Sequence, residues 1–321
     1  MLINESQPIN PVGYGAMVLE GYYGQSSDAD AINTLVHAIN HNMMIDTADA
    51  YGAGHNESLI KQAIQQADKK AFVATKFGIV YEEGQGGSTM ETGWGFPLTI
   101  NGTRDYVHQA IDKSLERLGV EQIDLLYAHY PDPGTPIEET VAAMAEAVRA
   151  GKVSAIGLSN VTAVQIRRAH QVHPIAAVQY EYSLFRREAE LEIIPAVNDI
   201  GAMLVCWSPL GAGFLTGTVS ELSADDFRNH NPKMQGENFT SNLTRLEQIK
   251  VIASALHITP AQLALAWVLA RGDNMIPIPG SRKTSRIDEN IAAGQVVLSQ
   301  DILQELDAIA PVGAFKGKTL V

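Results

Sequence analysis

A regular alternation of short apolar runs with amphipathic stretches constrains the fold of this chain most strongly. The apolar runs predict eight strands, near residues 10–17 and at 43–46, 72–76, 123–129, 154–158, 176–179, 202–207 and 275–278. The amphipathic stretches predict eight helices, at residues 28–40, 56–67, 104–118, 137–150, 163–170, 188–199, 243–256 and 285–292. Eight strands, each followed by a helix, predict a closed α/β barrel of the (β/α)8 TIM type.

The length of the chain agrees with one such barrel. Its 321 residues exceed the roughly 250 typical of this fold by enough for two insertions, so we expect one domain over residues 1–321. The insertions are the long segments 81–102 and 208–242, which form loops after the third and seventh strands. Residues 301–309 predict an additional C-terminal helix outside the eight.

The ends of several predicted helices carry residues that are typical of helix caps. Gly119, Gly151 and Gly201 each follow a helical segment and precede a strand, as glycines with positive φ do at helix C-termini. Asp28 and Thr103 are candidate N-caps. These residues support the predicted order of elements.

Charge and cysteine content exclude several classes of function. A formal charge of −13 would repel a phosphate backbone, so we expect no nucleic-acid partner. An anionic cofactor would need a local cluster of basic residues. The single cysteine, Cys206, lies in an apolar strand and excludes an intramolecular disulfide and a multi-cysteine metal site. We expect no metal at the site, no membrane partner and a cytoplasmic location, because residues 1–10 lack a secretion signal and no apolar run approaches a membrane span.

Ionisable residues cluster at the carboxyl ends of the predicted strands, where barrel active sites are built. The second, third and fourth strands end in Asp46, Lys76 and His129, and Tyr51 follows in the first of the corresponding loops. Each has a purely structural alternative: a turn cap for Asp46, a surface charge for Lys76, a polar core residue for His129 and a packed phenol for Tyr51.

Together these four residues predict a proton donor for a carbonyl oxygen. A phenol is a weak acid at neutral pH, and a nearby ammonium lowers its pKa. Lys76 would supply this charge, and Asp46 would keep the lysine protonated. His129 would hydrogen-bond the substrate oxygen or share its proton. This chemistry suits a carbonyl that becomes an alkoxide as hydride arrives.

Three segments containing these residues, 44–52, 73–78 and 123–129, resemble the signatures of the aldo-keto reductase superfamily. The resemblance continues through residues 151–160, 179–184 and 208–217 and so covers nearly the whole chain. It implies that Asp46, Tyr51, Lys76 and His129 are the catalytic tetrad of a reductase that uses a nicotinamide cofactor.

The resemblance also implies a cofactor site on the barrel. Ser159, Asn160 and Gln179 would bind the nicotinamide amide, and Trp207 would stack on its ring. Ser208, Leu210 and Gly213 would lie along the pyrophosphate, and Glu289 and Asn290 would contact the adenine. No glycine fingerprint of a Rossmann fold is present.

The required basic cluster follows the eighth strand and opens a helix. Gly280, Ser281, Arg282 and Arg286 lie there, and a helix N-terminus with two arginines suits a phosphate. The alternative is a solvated basic loop. The two arginines favour NADPH (NADP+) over NADH, because only the former carries a 2′-phosphate.

Within the superfamily the chain resembles most the bacterial and plant branch with pyridoxal reductases and broad-range aldehyde reductases. It departs from that branch at Tyr130, Asn160 and Ala212, which border the substrate or the cofactor. We expect a small carbonyl substrate, with pyridoxal as the leading specific candidate, while the oligomeric state stays open. Aromatic residues can form a wall at the mouth of the site or simply pack: Tyr22, Tyr23, Trp94, Phe96 and Tyr130.

Two other functions fit parts of the pattern. Potassium-channel β subunits share the implied fold, so a cofactor-sensing regulatory subunit is the main alternative; the short stretch before the first predicted strand argues against it. The other is an isomerase or lyase in which Lys76 forms a Schiff base. The nearby Asp46 argues against that role, because it would keep the amine protonated.

Overall fold

The computed structural model describes residues 8–24, 26–93, 95–219 and 226–318. The strands in these residues are β1 (Tyr14–Gly15), β2 (Met44–Asp46), β3 (Phe72–Phe77), β4 (Ser88–Met90), β5 (Leu98–Ile100), β6 (Ile123–Ala128), β7 (Val153–Ser159), β8 (Ala177–Glu181), β9 (Met203–Trp207) and β10 (Met275–Pro277). The α-helices in the same described ranges are α1 (Asp28–Asn40), α2 (His55–Gln66), α3 (Arg104–Leu118), α4 (Ile137–Arg149), α5 (Ala163–Val172), α6 (Ile193–Asp199), α7 (Gly236–Ala255), α8 (Pro260–Leu269), α9 (Thr284–Ala292) and α10 (Gln300–Ile309).

Eight of the strands form one parallel sheet in the order β1, β2, β3, β6, β7, β8, β9, β10. The sheet closes on itself through two backbone hydrogen bonds, from Gly13 N to Pro277 O at 2.9 Å and from Gly15 N to Pro279 O at 3.3 Å. The predicted (β/α)8 barrel, with an additional C-terminal helix, is therefore confirmed. We call the junction of β1 with β10 the closing seam.

The apolar core has two parts, because successive strand residues point to opposite faces of the sheet. Ile45, Val73 and Leu126 belong to the larger cluster, together with residues of the surrounding helices. Met44, Ala74 and Tyr127, at neighbouring strand positions, belong to a smaller cluster made almost entirely of strand residues. This smaller cluster fills the inside of the barrel.

The structure corrects the sequence prediction most between β9 and β10. The predicted helix 243–256 begins earlier, as α7, and a second helix, α8, was missed. Helix α8 is buried on nearly all sides, from Ala261 to Val268, so its sequence has no amphipathic period. Thr259 and Gln262 form a capping box, and Pro260 occupies the first turn; these residues were the available signal.

Five further features differ from the prediction. The first strand is limited to Tyr14–Gly15, and the predicted helix 188–199 is a 3-10 turn followed by α6. The long loop 81–102 contains the antiparallel pair β4 and β5. Ser27, rather than Asp28, caps α1, and the side chain of Thr103 makes no capping hydrogen bond. The predicted positive φ of Gly119, Gly151 and Gly201 is confirmed.

Across the described residues, no single helix is both long and apolar enough to cross a membrane. One bent pair, Gly236–Ala255 with Pro260–Leu269 at 89°, satisfies the length and composition criteria together. The cytoplasmic location stays a prediction.

Candidate active site

Side chains along each strand point alternately into and out of the barrel, and this alternation also brings polar residues inside. Asp46 follows Met44 by two residues, Lys76 follows Ala74, and His129 follows Tyr127, so each continues an inward-facing row. Gln179 and Trp207 continue two more such rows, after Ala177 and Val205. The carboxyl ends of neighbouring strands therefore deliver these side chains to one place.

Lys76 lies at the centre of the cluster and is 1% exposed. Its Nζ donates to Asp46 Oδ1 at 2.5 Å, to the backbone oxygen of Thr47 at 2.8 Å and to the Tyr51 hydroxyl at 3.4 Å. Three acceptors match the three hydrogens of an ammonium. No lone pair remains to attack a carbonyl, which argues against the Schiff-base alternative.

Asp46 is fixed through both of its carboxylate oxygens. Oδ1 accepts from Lys76, and Oδ2 accepts from Gln179 Nε2 at 2.6 Å. Burial raises the pKa of the Asp46 carboxyl, and the Lys76 ammonium and the Gln179 amide oppose that shift. The buried acid thus has a partner for each oxygen, as a desolvated charge requires.

Tyr51 opens a short 3-10 helix, Tyr51–Gly54, which is the next element after β2. Burial, followed by electrostatic interaction with Asp46, raises the pKa of the phenol well above its usual value. The expectation that Lys76 lowers this pKa is therefore wrong for the protein alone, because desolvation dominates and Asp46 pairs with the ammonium. Tyr51 is a neutral proton donor at neutral pH.

His129 is 7% exposed and faces the same space. Its ring meets that of Tyr51 edge-on, with centroids 5.8 Å apart. Burial, assisted by the charge of Lys76, holds the pKa of the imidazole well below its usual range. Nδ1 is buried without a hydrogen-bond partner in the part of the chain that the structure describes. A neutral imidazole can bind a carbonyl oxygen through an N–H group.

These residues open into a cavity of about 430 Å³ at the carboxyl end of the barrel. Three of the four predicted catalytic residues line it directly: Asp46, Tyr51 and His129. Lys76 lies behind them. Eight of the predicted cofactor residues also line the cavity: Ser159, Asn160, Gln179, Trp207, Ser208, Leu210, Gly213 and Gly280.

The cofactor side of the cavity combines tightly packed backbone with residues in uncommon backbone conformations. A Cβ at Gly280 would lie 2.5 Å from Val18 Cγ1 and 2.7 Å from Gly15 O. Asn160, Ser208 and Ala212 have positive φ, which is uncommon for residues other than glycine and concentrates at functional sites. Trp207 Nε1 donates to Asn160 Oδ1 at 3.3 Å, which fixes the indole beside the predicted amide site. These residues fit a nicotinamide dinucleotide.

The remaining predicted cofactor residues lie beyond the cavity lining. Arg282 Nη2 donates to Tyr23 O at 2.9 Å, and Arg286 forms an ion pair with Glu289. Ser281 Oγ accepts from Lys283 N at 3.1 Å, at the start of α9. Asn290 is buried on the same helix. The structure thus places the basic segment at a helix N-terminus next to the cavity but assigns no phosphate to it.

One charged lining residue was missed from the sequence. Arg228 lies in the long segment after β9, pairs with Asp226 at 2.6 Å and contacts the ring of Tyr23. Its Nη1 also approaches Ala212 O at 3.4 Å. An arginine in a loop after a barrel strand was the available signal, but no periodic pattern indicates which residue of a 35-residue polar segment turns inward.

Comparison with known proteins finds similar chains. The aldo/keto reductase family matches residues 11–311. A probable aldo-keto reductase 1 of Glycine max is 40% identical over 315 residues, covering 96% of this chain and 88% of the relative. The Schizosaccharomyces pombe aldo-keto reductase yakc, whose name specifies NADP(+), is 41% identical over 304 residues, covering 92% and 86%. The solved glycerol dehydrogenase of Gluconobacter oxydans is similar with a TM-score of 0.84 and 28% identity, covering 95% and 92%.

Proposed function

Because this chain belongs to the aldo/keto reductase family, we propose that it reduces aldehydes and reactive ketones to alcohols with NADPH. One observation carries the proposal: Tyr51, His129 and the Lys76–Asp46 pair meet at a single cavity that a nicotinamide ring can enter. The bound cofactor supplies the hydride. The residues of the chain supply the proton and the binding of the carbonyl oxygen.

The proton comes from the Tyr51 hydroxyl. This oxygen accepts a hydrogen bond from Lys76 and so keeps its own hydrogen for the substrate oxygen. His129, held neutral by burial, binds the same oxygen and fixes its position. As negative charge grows on that oxygen, the nearby ammonium stabilises it and favours proton transfer from the phenol.

Three observations support NADPH as the cofactor. The cavity wall contains polar groups for an amide, at Gln179 and Asn160, beside the Trp207 ring. The basic segment lies at the start of α9, where a phosphate is stabilised. The Schizosaccharomyces pombe relative carries NADP(+) in its name.

The substrate side of the cavity favours a flat, largely apolar aldehyde. Tyr22, Tyr23, Phe96 and Tyr130 line it, and the rings of His129 and Tyr130 stack with centroids 5.3 Å apart. Trp94, the fifth residue of the predicted aromatic wall, lies outside the described residues. Pyridoxal, a one-ring aromatic aldehyde, is the specific substrate that the branch resemblance suggests.

A panel of aldehydes tests the substrate class. NADPH oxidation measured with pyridoxal, 4-nitrobenzaldehyde and methylglyoxal should give higher kcat/KM for the two aromatic aldehydes. An equal or higher value for methylglyoxal would contradict selection by the aromatic wall. It would identify a broad-range detoxifying reductase instead.

The substitution Tyr51→Phe tests the reaction itself. We expect loss of turnover with unchanged NADPH affinity, because only the proton donor is removed; NADPH fluorescence titration and steady-state kinetics measure the two. Tyr106→Phe is the control, since it removes the hydroxyl of a tyrosine outside the cavity lining, which donates to Ile79 O, and should retain turnover. A Tyr51→Phe protein that still reduces the aldehydes would refute the role of Tyr51. A wild-type protein that binds NADPH but reduces nothing would favour the regulatory-subunit alternative.

A further inference from the structure

A cluster of possible metal ligands lies on the outside of the barrel, away from the cavity. His37 and His41 are four residues apart at the end of α1, and Asp288 lies on α9. One ligand atom from each of the three residues lies within 4.8 Å of the other two. The proposed reaction uses none of these side chains.

The contacts within the cluster already orient the ligands. His37 Nε2 lies 2.6 Å from Asp288 Oδ1, and the two imidazole rings are 4.4 Å apart. His41 Nδ1 lies 2.8 Å from His37 O, a contact in which a protonated Nδ1 donates and leaves Nε2 with the free lone pair. The side chains of His37 and Asp288 are 26% and 57% exposed, so an ion can enter from solvent and keep water ligands.

We propose that His37, His41 and Asp288 form a binding site for one divalent transition-metal ion, such as Zn²⁺. Zinc–ligand distances of about 2.0–2.2 Å place neighbouring ligand atoms roughly 3.3–3.6 Å apart in a tetrahedral site. To reach this value, the 2.6 Å between His37 Nε2 and Asp288 Oδ1 must lengthen, and a separation near the 4.8 Å limit must shorten, each by roughly 1 Å. The three protein ligands leave at least one position for water.

The ligand set selects the class of metal. Two imidazoles with one carboxylate suit Zn²⁺, Ni²⁺ or Cu²⁺, whereas Mg²⁺ and Ca²⁺ prefer sites made of oxygen ligands. The formal charge of −13 also attracts cations to the surface of the protein. The site therefore binds borderline transition metals in preference to alkaline-earth ions.

The location gives the ion a structural role. Helix α1 follows β1 and helix α9 follows β10, so the two helices flank the closing seam of the barrel. An ion bound to both helices joins residues 251 positions apart in sequence across that seam. Because Asp288 is near the histidines only in the folded chain, binding stabilises the native state over the unfolded one.

Calorimetric titration of the full chain with ZnCl2, without cofactor, tests the site independently of the proposed reaction. We expect one Zn²⁺ per chain. His37→Gln, His41→Gln and Asp288→Asn should each weaken zinc binding at least roughly tenfold. Loss of a residue that only orients a ligand already has an effect of this size. Thermal unfolding should show a Tm that Zn²⁺ raises in the wild type and leaves unchanged in the His37→Gln/His41→Gln double variant.

His108→Gln is the matched control. His108 also pairs with a carboxylate, Glu146, at 2.8 Å, but an arginine rather than a second histidine lies beside that pair. This variant should bind Zn²⁺ as the wild type does. Zinc binding that survives the double substitution, or a wild type without a zinc-dependent Tm, would overturn the proposal. A Ca²⁺ response as large as the Zn²⁺ response would overturn the assigned class of metal.

Discussion

At the scale of single residues, burial changes the chemistry of His129 and makes stability depend on pH. An imidazole in the unfolded chain has a pKa near 6.5, whereas burial holds the folded pKa well below this value. Below about pH 6.5 the unfolded state therefore binds a proton that the folded state does not. Stability falls as pH decreases through that window, and His129 makes no such contribution above it.

His129→Asn should reduce this acid sensitivity. Between about pH 6.5 and 5 the free energy of unfolding of the wild type should fall by up to about 1.4 kcal/mol per pH unit more than that of the variant. Urea denaturation at several pH values measures the difference. His257→Asn changes an exposed histidine and should retain the wild-type pH dependence. Parallel pH profiles for the wild type and His129→Asn would contradict the assignment.

The two arginines of the basic segment should determine the preference between the two nicotinamide cofactors. Arg282→Ala and Arg286→Ala, singly and combined, should weaken NADPH binding while changing NADH binding little, because only NADPH carries the 2′-phosphate. Losing a hydrogen bond to a charged group costs about 1.5–3 kcal/mol, or roughly tenfold or more in affinity. Fluorescence titration with both cofactors measures this effect.

Arg104→Ala is the control for this prediction, since Arg104 pairs with Glu146 on an exposed surface. An NADPH to NADH affinity ratio unchanged in the double variant would show that the basic segment is a solvated loop. Arg228, which lines the cavity itself, would then be the next candidate to bind the phosphate.

The positions of the polar site residues were predictable because they follow strand periodicity. Asp46, Lys76 and His129 extend inward-facing apolar rows by one step, and that pattern is visible in the sequence. The pKa direction of Tyr51 was not predictable, because it depends on how deeply the phenol is buried. Arg228 was missed because its position depends on the path of a long loop that has no periodicity.

At the scale of elements, the clearest difference concerns α8. Periodicity predicts a helix when one of its faces meets solvent, and α8 has almost no such face. Its boundaries are marked instead by local hydrogen bonds: Gln262 N donates to Thr259 Oγ1 at 3.1 Å, and Thr259 N donates to Gln262 Oε1 at 3.0 Å. Capping residues therefore carry more information than periodicity for buried helices.

Thr259→Ala should destabilise the protein by about 1 kcal/mol, because it leaves the first-turn N–H groups of α8 without that acceptor. Thr259→Ser retains the hydroxyl and should stay close to the wild type. Urea denaturation of the three proteins under identical conditions measures the effect. Equal loss in both variants would mean that the methyl group, rather than the cap, stabilises this position.

At the scale of the whole molecule, the closing seam depends on glycine. A Cβ at Gly15 would lie 2.7 Å from Ile278 O, a backbone atom that cannot move without shifting β10. Gly15→Ala should therefore destabilise the barrel by about 1–3 kcal/mol, as overpacking does elsewhere. Urea denaturation measures the change.

Gly272→Ala is the matched control for the seam. Its Cβ would meet only side-chain atoms of Asn274 and Met275, which can adjust, so this variant should retain nearly wild-type stability. Comparable losses in Gly15→Ala and Gly272→Ala would show that general glycine effects, rather than the seam, determine the result. Zinc binding at α1 and α9 should partly restore the Gly15→Ala protein, since it acts across the same seam.

The closing seam also determines when the cavity comes into existence. The Tyr14 hydroxyl donates to Ser281 O, 267 residues away, and the cavity wall includes Gly15 and Val18 from one end of the chain and Ile278 and Gly280 from the other. A nascent chain still attached to the ribosome therefore has no cavity until its last strand emerges. A ligand that fills the finished cavity contacts residues on both sides of the closing seam. Its binding therefore stabilises the closed barrel, and opening of the barrel at the seam releases the ligand.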